Sequence, residues 1–254
     1  MKYILYLTGL LLLVGLLTGC AQKTVDPTPV SCRILSYQAT APSGATQSYQ
    51  YEYDSQGRRT RYVCPGTFDT RYSYSADGLL ITEAYSTSSG YTSTSEYTLD
   101  ARKRVMQESF IGSTTNVRYT YTYDADGYLL REEYTIYDKT GKPTGPAYSQ
   151  SYFYKDGNLD QTSDSQGRGQ AFSYTTDSFV PFTGGLNYGK PNRLRYASVQ
   201  YSYAATPSGT SPAKRTYTYV LDSNSYSINN TTTTTYVNGT SDKSSTSNPV
   251  YQCP

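Results

Sequence analysis

Residues 121–134 read Tyr-Thr-Tyr-Asp-Ala-Asp-Gly-Tyr-Leu-Leu-Arg-Glu-Glu-Tyr, and this stretch decides the fold of the chain. Tyr and Thr alternate as far as Tyr123, a short segment rich in Asp and Gly follows, and a second run leads out. Alternation with a period of two is typical of a strand that buries one face. Asp and Gly are the residues that tight turns favour. The stretch therefore predicts a β-hairpin.

Variants of this hairpin recur along the chain, for example at residues 51–61 and 72–82. The residues that precede successive turns lie 20 to 31 positions apart, and they are Tyr53, Tyr74, Leu99, Tyr123, Tyr154 and Tyr174. A repeat of this length indicates stacked units of supersecondary structure. In the third unit, residues 100–104 contain no glycine. Either a polar residue takes the left-handed conformation there, or the turn is wider.

The chain is rich in tyrosine, with 31 Tyr and only 6 Phe and no Trp, and beyond residue 19 it contains few Leu, Ile or Val residues. Tyr rings at alternate positions predict one packed face, with Thr on a wet face. The expected fold is therefore all-β: an antiparallel meander of repeated β-hairpins that forms one curved sheet, either open or partly closed as a barrel. Residues 231–235 are all Thr, which suits a solvated edge strand.

The first nineteen residues have a different character, with a positive Lys2 followed by an apolar run over residues 4–17. This pattern is typical of an export signal rather than of a spanning helix. The run ends at Leu17-Thr-Gly-Cys20, which resembles the lipobox of bacterial lipoproteins. The resemblance implies cleavage before Cys20 and acylation of that residue. Several acyl chains form an essentially permanent membrane anchor.

The expected organisation is a signal peptide over residues 1–19, a lipidated Cys20 with a tether over residues 20–31, and one β-sheet domain over residues 32–254. The tether contains prolines and no periodic apolar pattern. The expected partner is a membrane, reached through the lipid on Cys20. By resemblance to lipoprotein sorting rules, Ala21 rather than Asp after the anchor favours the outer membrane.

Three cysteines remain beyond the anchor, and an exported protein permits a disulfide between them. If Cys32 and Cys64 lie on the first and third strands of a meander, they are too far apart to form a bridge. A pair that includes Cys253 is therefore favoured, and it would fasten the carboxyl terminus to the body. Three buried free thiols are the alternative.

The segment Tyr51-Glu-Tyr-Asp-Ser-Gln-Gly-Arg-Arg-Thr60 resembles the YD repeat of Rhs-type bacterial surface proteins. The chain as a whole is similar to cell-envelope lipoproteins with a curved antiparallel sheet or half-barrel. The resemblance covers about residues 32–228. It implies the fold and no established activity. Rhs shells use many more repeats and carry a toxin domain, and this chain has neither.

Several kinds of site are excluded by residue type. The chain contains no His, which rules out His triads and His-bound metals. Residues 184–190 fit the frame of a phosphate-binding loop, but Pro191 stands where Ser or Thr is required. Asp124 could begin a calcium loop, but Tyr128 and Thr135 stand where ligands are needed. A formal net charge of +2 gives no basic footprint for nucleic acid. We expect no metal and no cofactor.

Aromatic residues near loops are the expected binding rim, because Tyr rings on a rigid sheet make good stacking platforms. These residues are Tyr85, Tyr91, Phe179, Phe182 and Tyr188. The sequence favours a non-enzymatic envelope lipoprotein that presents its Tyr-rich sheet to a glycan or protein partner, or that has a structural role. One alternative is a glycan-cleaving enzyme with two paired carboxylates among Glu83, Glu108, Glu132 and Glu133. Another is a small shell or delivery component that resembles the Rhs proteins.

Overall fold

The structure is a computed structural model, and it describes residues 32–178, 186–192, 194–202, 211–223 and 226–252. The chain divides into two units, Met1–Val30 and Ser31–Pro254. The described residues all belong to the second unit, so the predicted signal peptide and Cys20 lie outside them. No helix among these residues has the length and apolar character needed to cross a membrane.

The described part of the chain forms sixteen β-strands, and each strand pairs in antiparallel fashion with its neighbours. The strands are β1 (Arg33–Thr40), β2 (Thr46–Tyr53), β3 (Arg59–Cys64), β4 (Phe68–Tyr74), β5 (Leu80–Thr87), β6 (Thr92–Leu99), β7 (Val105–Ile111), β8 (Asn116–Tyr123), β9 (Leu129–Tyr137), β10 (Tyr148–Lys155), β11 (Asn158–Asp164), β12 (Gly169–Ser178), β13 (Leu194–Ser202), β14 (Pro212–Leu221), β15 (Ser227–Tyr236) and β16 (Ser241–Gln252). The all-β antiparallel meander expected from the sequence is confirmed.

The sheet is a closed barrel, which corrects the expectation of an open or partly closed one. Strand β1 pairs with β16, and Arg33 lies opposite Gln252. Closure removes both free edges and so satisfies the backbone groups that an open sheet leaves unpaired. The expected edge strand at residues 231–235 is also wrong, because β15 pairs with both β14 and β16.

The connections define two ends of the barrel. At the lower end each even-numbered strand turns into the next odd-numbered one, as at residues 54–58, and β1 also begins there. At the upper end odd-numbered strands turn into even-numbered ones, as at residues 41–45. Each repeat detected in the sequence therefore corresponds to an even-numbered strand, the lower turn that follows it and the next odd-numbered strand.

In several of the lower turns the first residue is an Asp whose carboxylate holds the turn, as at Asp54, Asp100 and Asp124. The Asp54 carboxylate accepts hydrogen bonds from the backbone N–H groups of Gln56 and Arg58, both at 2.9 Å, and from Arg58 Nε at 2.7 Å. Gly57 then takes a φ of 80°, the left-handed conformation that follows a type I turn in three-residue hairpin loops. In the turn that lacks glycine, Lys103 takes the same conformation with φ 61°. The first of the two outcomes expected for that turn is confirmed.

The two faces of the barrel wall differ in chemistry. On β6, Ser95 and Tyr97 are buried, whereas Glu96 and Thr98 are exposed. The buried face points inward, where Tyr97 joins a core with residues of other strands, among them Ile81, Val105, Tyr121 and Leu129. The packed tyrosine face expected from the sequence is thus the inner wall.

Residues 186–192 cover this core from the lower end. The backbone N–H of Val105 donates to the carbonyl of Asn187 at 2.8 Å, and the N–H of Lys190 donates to the carbonyl of Gly127, also at 2.8 Å. Leu186 and Tyr188 pack against the core cluster. This segment therefore covers the part of the lower end that lies beneath β7, β8 and β9.

The cysteines lie at opposite ends of the barrel. Cys32 is at the lower end and is disulfide-bonded, whereas Cys64 ends β3 near the upper end and is a buried free thiol. The predicted lack of a bridge between these two residues is confirmed. Cys253 lies outside the described residues.

Candidate functional site

A row of aromatic rings follows the inner wall from β1 to the connection after β5. We call it the inner aromatic row, and its members are Tyr37, Tyr49, Tyr51, Tyr62, Phe68, Tyr85 and Tyr91. Neighbouring ring centroids lie between 4.6 and 6.2 Å apart. Such distances are those of interacting aromatic pairs. The row is therefore one continuous aromatic surface inside the barrel.

Strand register explains the row. Tyr37 lies opposite Tyr49, and Tyr51 lies opposite Tyr62. Side chains opposite each other in an antiparallel pair share a face and contact one another. Each inward position of one strand therefore places its ring beside a ring of the next. The row reaches the upper end at Tyr91, whose side chain is 40% exposed.

The neighbouring part of the inner wall is polar. Strands β15 and β16 direct Asn230, Thr232, Ser244 and Thr246 to the same side as the inward Tyr219 of β14. Thr and Asn side chains at these positions offer hydroxyl and amide groups rather than apolar surface. Polar residues on an inner face suit contact with water or with a polar ligand. This wall meets the aromatic row where β16 pairs with β1.

A cavity of about 270 Å³ lies at this junction. Tyr37 and Tyr51 of the aromatic row line one side, and Asn230 and Thr246 of the polar wall line the other. Arg59 also lines the cavity, and its guanidinium carbon lies 4.9 Å from the Tyr51 ring centroid. Ile34, Ile228 and Pro249 also line it, so the cavity combines flat rings and aliphatic surface with neutral hydrogen-bonding groups and one cation.

A second inward group is a ladder of Tyr–Glu pairs on β5 to β10. Tyr97 donates its hydroxyl to Glu83 at 3.2 Å, Tyr121 to Glu108 at 3.1 Å and Tyr152 to Glu132 at 3.0 Å. Each carboxylate therefore has a phenol partner on a neighbouring strand.

Glu108 lies in the middle of this ladder. Burial raises the pKa of the Glu108 carboxyl, and the nearby charges of Glu83 and Glu132 raise it further. The hydrogen bond from Tyr121 lowers the pKa and offsets part of this rise.

Glu133, in contrast, lies on the outer face and pairs with Arg131 at 2.7 Å. Of the four glutamates considered from the sequence, the structure brings three together and leaves Glu133 apart. Among the described residues, no group of three or more His, Cys, Asp or Glu side chains could hold a metal ion.

The residues expected at a binding rim have different locations. Tyr85 and Tyr91 lie together in the inner aromatic row at the upper end, with ring centroids 6.2 Å apart. Tyr188 lies at the other end, where its ring packs edge-on against Tyr121 at 5.1 Å within the core. Phe179 and Phe182 lie outside the described residues.

Neither Arg59 nor the aromatic row can be recognised from the sequence as part of a binding surface. Alternation at Tyr49 and Tyr51 signals an inward face, but it does not distinguish a packed core from a barrel interior. A register shift between Glu52 and Tyr53 places Arg59 opposite Tyr53 and therefore on the inner face. Strict alternation along β3 does not predict this orientation. A bulge of this kind leaves no clear signal in the sequence.

Comparison with known proteins gives the fold alone. No protein-family model matches the sequence, and no curated protein matches it. Among solved structures, a porin-like protein from Bacteroides uniformis is 14% identical, with a TM-score of 0.58 over 87% of this chain and 96% of that one. A porin-like protein from Bacteroides vulgatus is 12% identical, with a TM-score of 0.58 over 87% of this chain and 99% of that one. The chain is therefore similar in fold to these two barrels.

Proposed function

We propose that the protein is an envelope lipoprotein, anchored through Cys20, whose barrel binds a glycan against the inner aromatic row without cleaving it. The observation that carries this proposal is the continuous row of seven rings that ends at the exposed Tyr91. Tyrosine rings offer large, rigid contact area at a low entropic cost. The polar wall of β15 and β16 supplies hydrogen-bonding groups beside the rings.

The position of the row favours a glycan over a protein partner. The rings line the inside of a closed barrel of sixteen strands. Porins with about this number of strands enclose a water-filled channel, and such a channel suits a slender chain better than a folded domain. Ligand sites of small molecules are concave, largely apolar and supplied with a few polar groups, and the mouths of β-barrels are among their usual places. The inner wall meets this description.

The outer face supports a barrel surrounded by water. Arg61 pairs with Glu52 at 3.0 Å and with Asp69 at 2.8 Å, and Arg71 pairs with Asp69 at 3.2 Å. These residues lie on the outer face of β2, β3 and β4. An Arg or Lys on the lipid face of a membrane barrel costs about 2–4 kcal/mol at the midplane, and an Asp or Glu costs less. We therefore favour a tethered barrel over a membrane-spanning one, although its structural neighbours are described as porin-like.

The lower end is the end that would face the membrane. Residue 32 enters the barrel there, and the proposed tether from Cys20 precedes it in the sequence. Apolar side chains on the outer surface near this end are 40–54% exposed, and they are Leu80, Met106, Leu130, Phe153, Val220 and Val250. This arrangement leaves the upper end, with Tyr91, open to ligands.

Retention on immobilised polysaccharides tests the proposal. The full chain, purified in detergent, is passed over a panel of polysaccharides, and both bound protein and released sugars are measured. We expect retention without product release. Tyr62→Ala should weaken retention, because it removes a ring from the middle of the row. Tyr137→Ala is the matched control, because Tyr137 lies on the outer face. Equal loss for both variants, or no retention of the wild type, would contradict the proposal.

A glycan-cleaving enzyme is the second candidate, and the shifted pKa of Glu108 between Glu83 and Glu132 favours it. Glycosidases use two carboxylates, one of which has a raised pKa and acts as general acid. Release of sugar products from the panel, abolished by Glu108→Gln, would support the enzyme over the binding protein.

A further inference from the structure

Arg59 is an inward-facing cation surrounded by phenols. Its guanidinium carbon lies 4.9 Å from the Tyr51 ring centroid and 5.8 Å from that of Tyr72. Cation–π contacts of this kind stabilise a guanidinium, and more so where water is excluded. Arg59 lies opposite Tyr53 in the β2–β3 pair, which fixes its direction toward the barrel interior.

The positive charge of Arg59 has no carboxylate beside it. Within the described residues, no Asp or Glu forms an ion pair with Arg59. Its buried Nε has no hydrogen-bond partner. Arg59 is half-buried, and the hydroxyls of Tyr53 and Tyr72 interact with its guanidinium, but these phenols are neutral. A cation withdrawn from water is stabilised most by an anionic partner. The outward Arg61, two residues further along β3, has two carboxylate partners.

The surroundings of Arg59 define what a partner must carry. The cavity of about 270 Å³ places Tyr37 and Tyr51 on one side and Asn230 and Thr246 on the other. A ligand that satisfies all of these groups has a flat, weakly polar face, several hydroxyl groups and one negative charge. A sugar ring with a carboxylate meets this description.

We infer that the cavity is a subsite for an acidic saccharide, whose carboxylate binds Arg59 and whose ring lies against Tyr51. This inference rests on the proposed function and specifies the class of glycan. Arg binds a carboxylate through two parallel N–H donors, and such charge-assisted bonds are the stronger ones. Asn230 and Thr246 accept or donate the hydrogen bonds of the sugar hydroxyls.

A pair of ligands that differ in the charge of their carboxyl groups, and otherwise only by the ester methyl groups, tests this inference. The full chain in detergent is titrated calorimetrically with a trigalacturonate and with its fully methyl-esterified form. We expect the acid to bind roughly 10- to 100-fold more tightly than the ester, which is the usual effect of a charged hydrogen bond. Arg59→Gln should abolish this difference. Arg61→Gln should preserve it, because Arg61 lies on the outer face.

Each other outcome has a distinct meaning. If the wild type binds acid and ester equally, the acidic subsite is wrong and the proposed glycan function stands. The wild type could prefer the acid while a correctly folded Arg59→Gln variant keeps the same preference. In that case another group binds the carboxylate and the inference fails. If neither ligand binds and the polysaccharide panel is also negative, the proposed function fails together with the inference. The comparison of acid with ester needs no variant, so misfolding of Arg59→Gln leaves it decisive.

Discussion

The guanidinium carbon of Arg104 lies 4.4 Å from the ring centroid of Tyr123, one repeat further along the chain. Arg58 and Tyr74 show the same relationship at the same distance. In both cases the Arg closes a lower turn and covers the Tyr that precedes the next lower turn. The turn and the Tyr of the repeat are thus parts of one contact that ties neighbouring hairpins together.

This contact predicts that Asp100→Ala destabilises the barrel well beyond the loss of one exposed charge. The Asp100 carboxylate accepts from the backbone N–H groups of Arg102 and Arg104 and from Arg104 Nε, each at 2.8 Å. Without it the half-buried Arg104 guanidinium loses its anion. We expect the free energy of unfolding to fall by about 2 kcal/mol. The midpoint of urea denaturation measures this change.

Asp126→Ala is the matched control for Asp100→Ala. Asp126 lies exposed in the lower turn between β8 and β9. An exposed substitution of this kind changes stability by less than about 0.5 kcal/mol. Equal effects of the two variants would mean that the turn carboxylate does not organise the hairpin.

Lys103→Gly is expected to be tolerated, although it removes a hydrogen bond. Lys103 has φ 61°, which costs a residue with a Cβ about 1–2 kcal/mol relative to Gly. Its Nζ donates to the carbonyl of Asp77 at 2.7 Å, and this exposed bond is lost in the variant. Lys103→Ala loses the same bond and keeps the strain. The Gly variant should therefore be more stable than the Ala variant by about 1 kcal/mol, measured by thermal unfolding. A more stable Ala variant would contradict this.

The left-handed residue at position 103 could be anticipated, whereas closure of the barrel could not. A turn of fixed length needs positive φ at one place, and the missing Gly leaves a polar residue to supply it. Closure depends on how twist accumulates over sixteen strands until Arg33 meets Gln252, and no local pattern encodes that sum. For the same reason, Thr231 resembled an edge residue. It faces water on a strand that is paired on both sides.

The candidate site was only partly predictable for a related reason. Tyr85 and Tyr91 were identified because they lie near loops. Pairs such as Tyr51 and Tyr53 were assigned to a packed face, because alternation shows only that side chains share a face and not whether that face meets a core or an open space. Only the closed topology shows that this face surrounds an interior. The charge of Arg59 in that interior is visible only from the register of β2 with β3.

Reduction of the disulfide at Cys32 is expected to destabilise the barrel at the start of β1. Cys32 is disulfide-bonded, and its backbone N–H donates to the hydroxyl of the buried Tyr226 at 3.0 Å. Loss of a native disulfide typically costs about 2–5 kcal/mol. A thiol reductant should therefore lower the melting temperature of the wild type. Cys64→Ser should retain this sensitivity, because Cys64 is a free thiol. A melting temperature that is unchanged by the reductant would refute the prediction.

The Tyr–Glu ladder predicts a pH dependence with a definite sign. Burial and the neighbouring carboxylates raise the pKa of Glu108, so the folded state holds a proton that the unfolded state releases near pH 4.3. The contribution of Glu108 to stability is complete below that pH, and it is lost as the pH rises through the higher pKa of the folded state. Glu108→Gln stays neutral throughout. As the pH rises from about 4.3 through the folded-state pKa of Glu108, the free energy of unfolding of Glu108→Gln should therefore fall less than that of the wild type. Urea denaturation at successive pH values measures this difference.

Tyr121→Phe provides the opposite test of the same carboxyl. The Tyr121 hydroxyl donates to Glu108 at 3.1 Å and favours the charged carboxylate, which lowers the pKa. Without this bond the pKa of Glu108 rises further, and the loss of stability should extend to higher pH than in the wild type. In the Glu108→Gln background, the same Tyr121→Phe change should leave the pH dependence alone, because the titrating group is absent. If Tyr121→Phe shifts the pH range of the stability loss equally in both backgrounds, the hydroxyl acts on some other group and the assignment to Glu108 is wrong.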